Sequence, residues 1–178
     1  MKIDRKWAMP NKDTFSIKPI GELVDRYCTD KVIICDPFSN GKRRTIKTIT
    51  NDLDEDKESD HHLDALKFLK LMKTDSFHVV LFDPPYSPRQ VSEVYKKLGH
   101  SVNMQTTQSS YWGNMKKEIS RILREGGICI TCGWNSGGIG KGLGMEIEEI
   151  LMVAHGGWHN DTIVTVERKQ INNQLELF

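Results

Sequence analysis

Asp83-Pro84-Pro85-Tyr86 follows directly on the apolar run Phe77-His78-Val79-Val80-Leu81-Phe82, so an acid, two prolines and a phenol stand where a buried strand should stop. Parallel α/β sheets place their chemistry at the carboxyl ends of strands. Consecutive prolines remove two backbone donors, fix φ at both residues and bias Asp83 toward an extended conformation, which makes a stiff turn with exposed carbonyls. An acceptor carboxylate, acceptor carbonyls and an aromatic face held together suit a planar amine. Asp83 and the Pro84 carbonyl take its two hydrogens while Tyr86 stacks on the ring. The same four residues could form a plain surface turn; their place after a strand argues for the chemical reading.

The tetrapeptide resembles the signature of amino-methyltransferases that use S-adenosylmethionine, above all the DNA adenine-N6 enzymes, among which small bacterial and phage members match this chain in size. The resemblance spans roughly residues 15 to 169, and the Asp-Pro-Pro-Tyr turn is its one highly specific motif. It implies an α/β fold of the Rossmann-like class I methyltransferase type: a mostly parallel seven-stranded sheet with an antiparallel edge strand and helices on both faces. The usual strand order is 3-2-1-4-5-7-6, with strand 7 antiparallel.

On the same resemblance, Asp83, Pro84, Pro85 and Tyr86 form the catalytic turn, and Asp83 also touches the cofactor. Asp36, Pro37, Phe38 and Ser39 occupy the first cofactor loop. This loop lacks the familiar glycine-x-glycine form, and S-adenosylmethionine, having no phosphate, needs no phosphate cradle. Asp52 would hold the ribose hydroxyls and Asp64 would face the cofactor's adenine amino group. Phe15 and Ile17 would cover its methionine end. The blander reading makes Asp52 and Asp64 helix caps or solvated acids, and Phe15 and Ile17 core residues. For nucleic acid, Tyr86, Arg89, Lys141 and Trp158 are the expected contacts, with Trp134 as a further aromatic beside the pocket; lone tryptophans more often simply pack.

The order of cover segment, cofactor loop and catalytic turn resembles the gamma-like class of these enzymes. Such enzymes usually carry a separate target-recognition domain, and residues 1–178 read as a single methyltransferase domain without one. Recognition then falls to Ser87–Ser110, to the glycine-rich stretch, or to a partner, which implies a short target, low specificity, or a homodimer. DNA carrying a target adenine is the expected partner. RNA adenine would suit the same turn, a cofactor-binding inactive subunit is the alternative of a different class, and protein glutamine methylation fits less well because those relatives favour Asn at the position of Asp83.

The elements that must position these residues alternate between short apolar runs and helical patterns, as in a parallel sheet covered on both faces. Strands are expected at Val32–Cys35, Thr45–Thr50, Phe77–Phe82, Gly127–Cys132, Ile147–Val153 and Thr162–Val166. Helices are expected at Ile20–Tyr27, His62–Met72, Val91–Leu98 and Trp112–Leu123, with a long polar loop over Gly99–Ser110 and a frayed tail after Lys169. Residues 155–161 read as a hairpin connection.

Composition narrows the class. A chain of 178 residues with 38% hydrophobic content can bury a full core. No apolar stretch approaches the ~20 residues of a membrane span and the N-terminus lacks a signal segment, so a cytoplasmic protein with no membrane partner is expected. A net charge of +1 means that nucleic acid must be held by local basic residues. Cys129-x-x-Cys132 with His155-x-x-x-His159 mimics a zinc pattern, yet residues three apart on a strand face opposite ways, so no metal site is expected and all four cysteines read as buried thiols. The run Gly137–Gly144 mimics a nucleotide loop but no Ser or Thr follows Lys141, which favours a lid or strand connection. The acids of 52–60 lack the glycine and final glutamate of a calcium loop.

Overall fold

The computed structural model describes residues 1–98 and 109–171. Its strands are β1 (Lys2–Trp7), β2 (Ile34–Asp36), β3 (Thr48–Thr50), β4 (Phe77–Phe82), β5 (Leu123–Gly133), β6 (Met145–Ala154) and β7 (Thr162–Lys169). They form one seven-stranded sheet in the order β1-β6-β7-β5-β4-β2-β3. β2 lies parallel to β3 and β4, β4 to β5, and β1 to β6, whereas β7 runs antiparallel to both β5 and β6. This is the Rossmann-like class I methyltransferase architecture, with two departures from the expected layout.

The antiparallel strand β7 lies between β5 and β6 instead of at the edge, and β1 adds a further strand outside β6. The seventh strand is therefore N-terminal, and no strand lies beyond β3 among the described residues; a single parallel bridge, Asn51 to His61, stands there. Sequence patterning missed β1 for a physical reason. As an edge strand it is exposed along nearly its whole length, so it needs no alternation of apolar and polar residues.

Among the described residues four helices, α1 (Lys18–Tyr27), α2 (Ala65–Leu71), α3 (Pro88–Lys97) and α4 (Ser109–Ile122), complete the layers. α1 buries Ile20, Leu23 and Val24 against Val79, Leu81, Ile130 and Val164 on one sheet face. α2 and α4 bury Phe68, Leu69, Met115 and Ile119 against Val80, Phe82 and Cys129 on the other. Alternate residues of β4 thus face opposite cores, as the period-two geometry of a strand demands. Cys129 and Cys132 likewise belong to opposite cores, so they cannot share one metal. All four thiols are free and buried.

Strand ends differ modestly from expectation. β5 reaches back to Leu123 through an irregularity in its pairing with β4, where Gly126 has φ of +71°. A Cβ on Gly127 would lie 2.8 Å from the Arg124 carbonyl, so the paired glycines permit this bend. The expected loop of Gly99–Ser110 lies outside the described residues through position 108, as does the tail from 172. No helix among the described residues is long and apolar enough to cross a membrane.

Candidate active site

The carboxyl ends of β2, β3 and β4 open onto a cavity of about 420 Å³. Pro37, Phe38, Asn51 and Asp52 line one side, and Asp83 through Tyr86 line another. The third wall is apolar and aromatic: Val91, Val94 and Tyr95 of α3 with Tyr111, Trp112 and Met115 of α4. A mostly apolar cavity of a few hundred Å³ with convergent polar groups is the usual form of a small-molecule site.

The catalytic turn is held from both sides. Ser87 caps α3 by accepting from the Gln90 N–H at 3.3 Å, and Pro88 starts the helix. Gln90 reaches back, its Oε1 accepting from the Tyr86 N–H at 2.6 Å. The Tyr86 hydroxyl donates to Asp83 Oδ1 at 2.5 Å. Burial pushes the Asp83 carboxyl above its ordinary range, hydrogen bonding from Tyr86 and the neighbouring Thr14 pulls it back, and Asp13 adds to the rise. Burial, reinforced by the Asp83 charge, also pushes the Tyr86 phenol up, so it remains the donor.

Asp36 is buried at the end of β2, its Oδ1 accepting from the Phe38 N–H at 3.1 Å. Burial raises its pKa to about 7; the Phe38 N–H opposes this, while Asp83 and Asp52 add to it. Several carboxylates thus crowd one strand edge, an arrangement that a positively charged ligand relieves.

The expected cofactor residues divide into groups. Pro37, Phe38, Asp52 and Asp83 line the main cavity. Asp36, Ser39 and Phe15 line a smaller neighbouring cavity of about 150 Å³, beside Lys42 and Arg44. Ile17 is a buried core residue at the start of α1. Asp64 is occupied otherwise: its Oδ1 caps α2 by accepting from the Leu66 and Lys67 N–H groups at 3.1 and 3.2 Å. Its Oδ2 accepts from the Tyr95 and Tyr111 hydroxyls at 2.6 and 2.5 Å. Burial first, then Asp64, lifts both phenols, Tyr95 to about 12, which keeps them protonated donors. The cap reading therefore describes Asp64 better than a contact to an adenine amino group.

The expected nucleic-acid residues scatter. Tyr86 is in the cavity wall, but Arg89 projects from the exposed side of α3, paired with Glu93 at 2.8 Å. Lys141 lies at the amino edge of the sheet, opposite to Asp83, because residues 134–144 must cross from the end of β5 to the start of β6. There Gly144 accepts from Gln170 and Leu143 from Ser120. This crossing is no open lid: buried Glu167 accepts from the Ile139 and Gly140 N–H groups at 2.5 and 2.8 Å. Trp158 is outside the cavity, fully exposed on the β6–β7 turn. Trp134 is the aromatic that meets Tyr86, with ring centroids 5.6 Å apart.

Sequence reasoning missed the role of Asn51. Its buried side chain donates to the Pro37 and Leu63 carbonyls at 3.1 and 3.0 Å and accepts from the Leu63 N–H at 3.0 Å, tying the two cofactor-side loops together. Its position after β3 was the available signal. Gln90 could have been found from its place four residues beyond Tyr86 on a capped helix.

No protein-family profile matches the chain, and no curated protein matches it. Solved structures do. The N-methyltransferase NodS from Bradyrhizobium japonicum WM9 aligns with a TM-score of 0.57 at 8% identity, over 86% of this chain and 96% of that one. TrmN from Thermus thermophilus aligns with a TM-score of 0.54 at 13% identity, over 86% of this chain. The match spans 49% of TrmN, about half its length. A third, 1,6-didemethyltoxoflavin-N1-methyltransferase from Burkholderia thailandensis, was crystallised with bound 1,6-didemethyltoxoflavin and S-adenosylhomocysteine; it aligns with a TM-score of 0.54 at 12% identity, over 79% of this chain and 72% of that one. At such identities the likeness is one of fold: this is a class I methyltransferase-like domain.

Proposed function

We propose that this chain is a methyltransferase that uses S-adenosylmethionine to methylate the N6 amino group of adenine in DNA. One observation carries the reading. Asp83 and Tyr86 converge, side chain to side chain, on a cavity also lined by Phe38, Asn51 and Asp52.

The residues fit the donor. Asp52 lines the cavity and would accept from ribose hydroxyls, Phe38 and the apolar wall suit an adenine ring, and the crowded carboxylates favour a cation. Bound there, S-adenosylmethionine would supply a sulfonium methyl group as electrophile. The fold neighbour crystallised with S-adenosylhomocysteine is consistent with that choice.

The adenine amino nitrogen is a weak nucleophile because its lone pair is delocalised into the ring. Asp83 and the Pro84 carbonyl accept its two hydrogens and localise the pair, while Tyr86 fixes the ring plane. Bound S-adenosylmethionine would give up its methyl group to that nitrogen, the sulfur–carbon bond breaking as the nitrogen–carbon bond forms, and the Asp83 carboxylate would take the surplus proton. Placement and electrostatics supply the acceleration, without a covalent enzyme intermediate.

The test is mass spectrometry of nucleosides from DNA and RNA incubated with the protein and isotopically labelled S-adenosylmethionine. Label in N6-methyldeoxyadenosine supports the proposal. Label confined to RNA, or in no nucleoside, sinks it.

A further inference from the structure

All four tryptophans of the chain lie along the edge of the sheet that carries Asp83. Trp112 is in the cavity wall, Trp134 follows β5, Trp158 tops the β6–β7 turn and Trp7 ends β1. Trp7, Trp158 and Met9 are largely exposed, and Trp134 is 43% exposed. Exposed tryptophan is costly to keep in water, and a series of them on one edge marks a contact surface.

The rings form a path leading away from the catalytic turn. Tyr86 meets Trp134 at 5.6 Å, and the Gly156 backbone lies against Trp7, whose Nε1 is 3.4 Å from where a Cβ would stand. Three strand steps separate β5 from β1, on the order of 14 Å. The chain returns along this side: Ala8 is bound to Ala154 and His155, and Lys12 and Thr14 then line the cavity. Residues 1–12 hold Lys2, Arg5, Lys6 and Lys12 against the single acid Asp4, although the whole chain is only +1; Lys2 stands at the far end of β1, paired with Glu149 at 2.9 Å, and Lys6 pairs with Asp4 at 3.5 Å. Aromatic faces and two cations, Lys6 near the end of β1 and Lys12 in the cavity lining, therefore share one edge, continuous with the candidate active site.

We infer that this edge docks an unpaired DNA strand, its bases stacking on Trp134, Trp158 and Trp7 and its phosphates near Lys6 and Lys12. The inference rests on the adenine-methyltransferase reading and narrows its substrate to single-stranded DNA. Projecting rings can stack only on bases whose faces are open, which a duplex conceals. A strand already unpaired also removes the need to extrude the target base.

Fluorescence anisotropy with labelled oligonucleotides decides the matter, using oligo(dT), mixed-sequence single-stranded DNA, its duplex, and the matching RNA strand. Single-stranded DNA is expected to bind tighter than duplex or RNA, and to quench tryptophan emission. Trp158→Ala, Trp134→Ala and Trp7→Ala should each weaken binding about 5- to 150-fold, the range expected for loss of one stacked base. Thermal melts of the same variants verify that they fold.

Oligo(dT) contains no adenine, so its binding stands even if methyl transfer fails; that combination would sink the proposed function alone. Unchanged affinity in the folded tryptophan variants, or tighter binding of duplex or RNA, overturns the strand dock. So does the absence of any oligonucleotide binding, which would leave the aromatic edge to a protein partner.

Discussion

The Tyr86 hydroxyl donates to Asp83 Oδ1 across 2.5 Å, so the phenol occupies a carboxylate oxygen that the proposed chemistry assigns to an incoming amine. The carboxylate is thereby held oriented before a substrate arrives, and the ring must give up this bond as it stacks. Both residues are in the cavity wall.

Asp83→Ala removes the acceptor. Methyl transfer should fall by at least about 10²–10³-fold, the usual cost of losing a preorganised electrostatic group. Binding of S-adenosylhomocysteine, followed by calorimetry, should stay largely intact. A variant with wild-type single-turnover rate would remove Asp83 from the mechanism.

Tyr86→Phe keeps the ring and deletes the donor. The hydroxyl favours the charged form of Asp83, so its loss lets burial push that carboxyl further up. The acid limb of kcat/KM should therefore move to higher pH, whereas Tyr86→Ala should additionally lose about 1–3 kcal/mol of stacking. Superimposable pH profiles for wild type and Tyr86→Phe would refute this.

Asp36 titrates near 7 in the fold, against 3.8 as the ordinary value. Between those values the native state holds more protons than the unfolded chain, so stability is present at low pH and declines as pH rises through the window. The displacement corresponds to at most about 4 kcal/mol. Asp36→Asn should flatten the decline and raise Tm at pH 8, while weakening binding of a cationic cofactor. Parallel Tm-versus-pH curves for the two proteins would exclude Asp36 as the source.

Asn51→Ala would strip three buried hydrogen bonds at once. The expected loss is about 2–4 kcal/mol in urea unfolding, since the orphaned groups keep their desolvation cost. Asn51→Asp should be no milder, because a carboxylate cannot donate to the Pro37 and Leu63 carbonyls. Wild-type stability in either variant would show that these loops hold together without it.

Much of the architecture was legible because buried parallel strands leave uninterrupted apolar runs: β4 appears in the structure with the bounds expected from Phe77–Phe82. β1 was not legible, since a strand exposed on an edge needs no hydrophobic pattern. The turn Asp83–Tyr86 could be read from two prolines following a strand, but the partners of Asp64 could not. Tyr95 and Tyr111 reach that carboxylate from 31 and 47 residues away in sequence, and only packing of α3 and α4 brings them there. Lys141 was misassigned for a related reason: glycine content suggests a loop, yet it does not reveal at which end of a sheet a crossing connection arrives.

The same short helix that walls the cavity with Val91 and Val94 also grips the Tyr86 amide through Gln90. A guest seated against those two valines leans on the rod that sets the angle of the phenol. Filling one side is thus felt as aim on the other, and for the proposed transfer the expected kinetic consequence is ordered addition, methyl donor before acceptor.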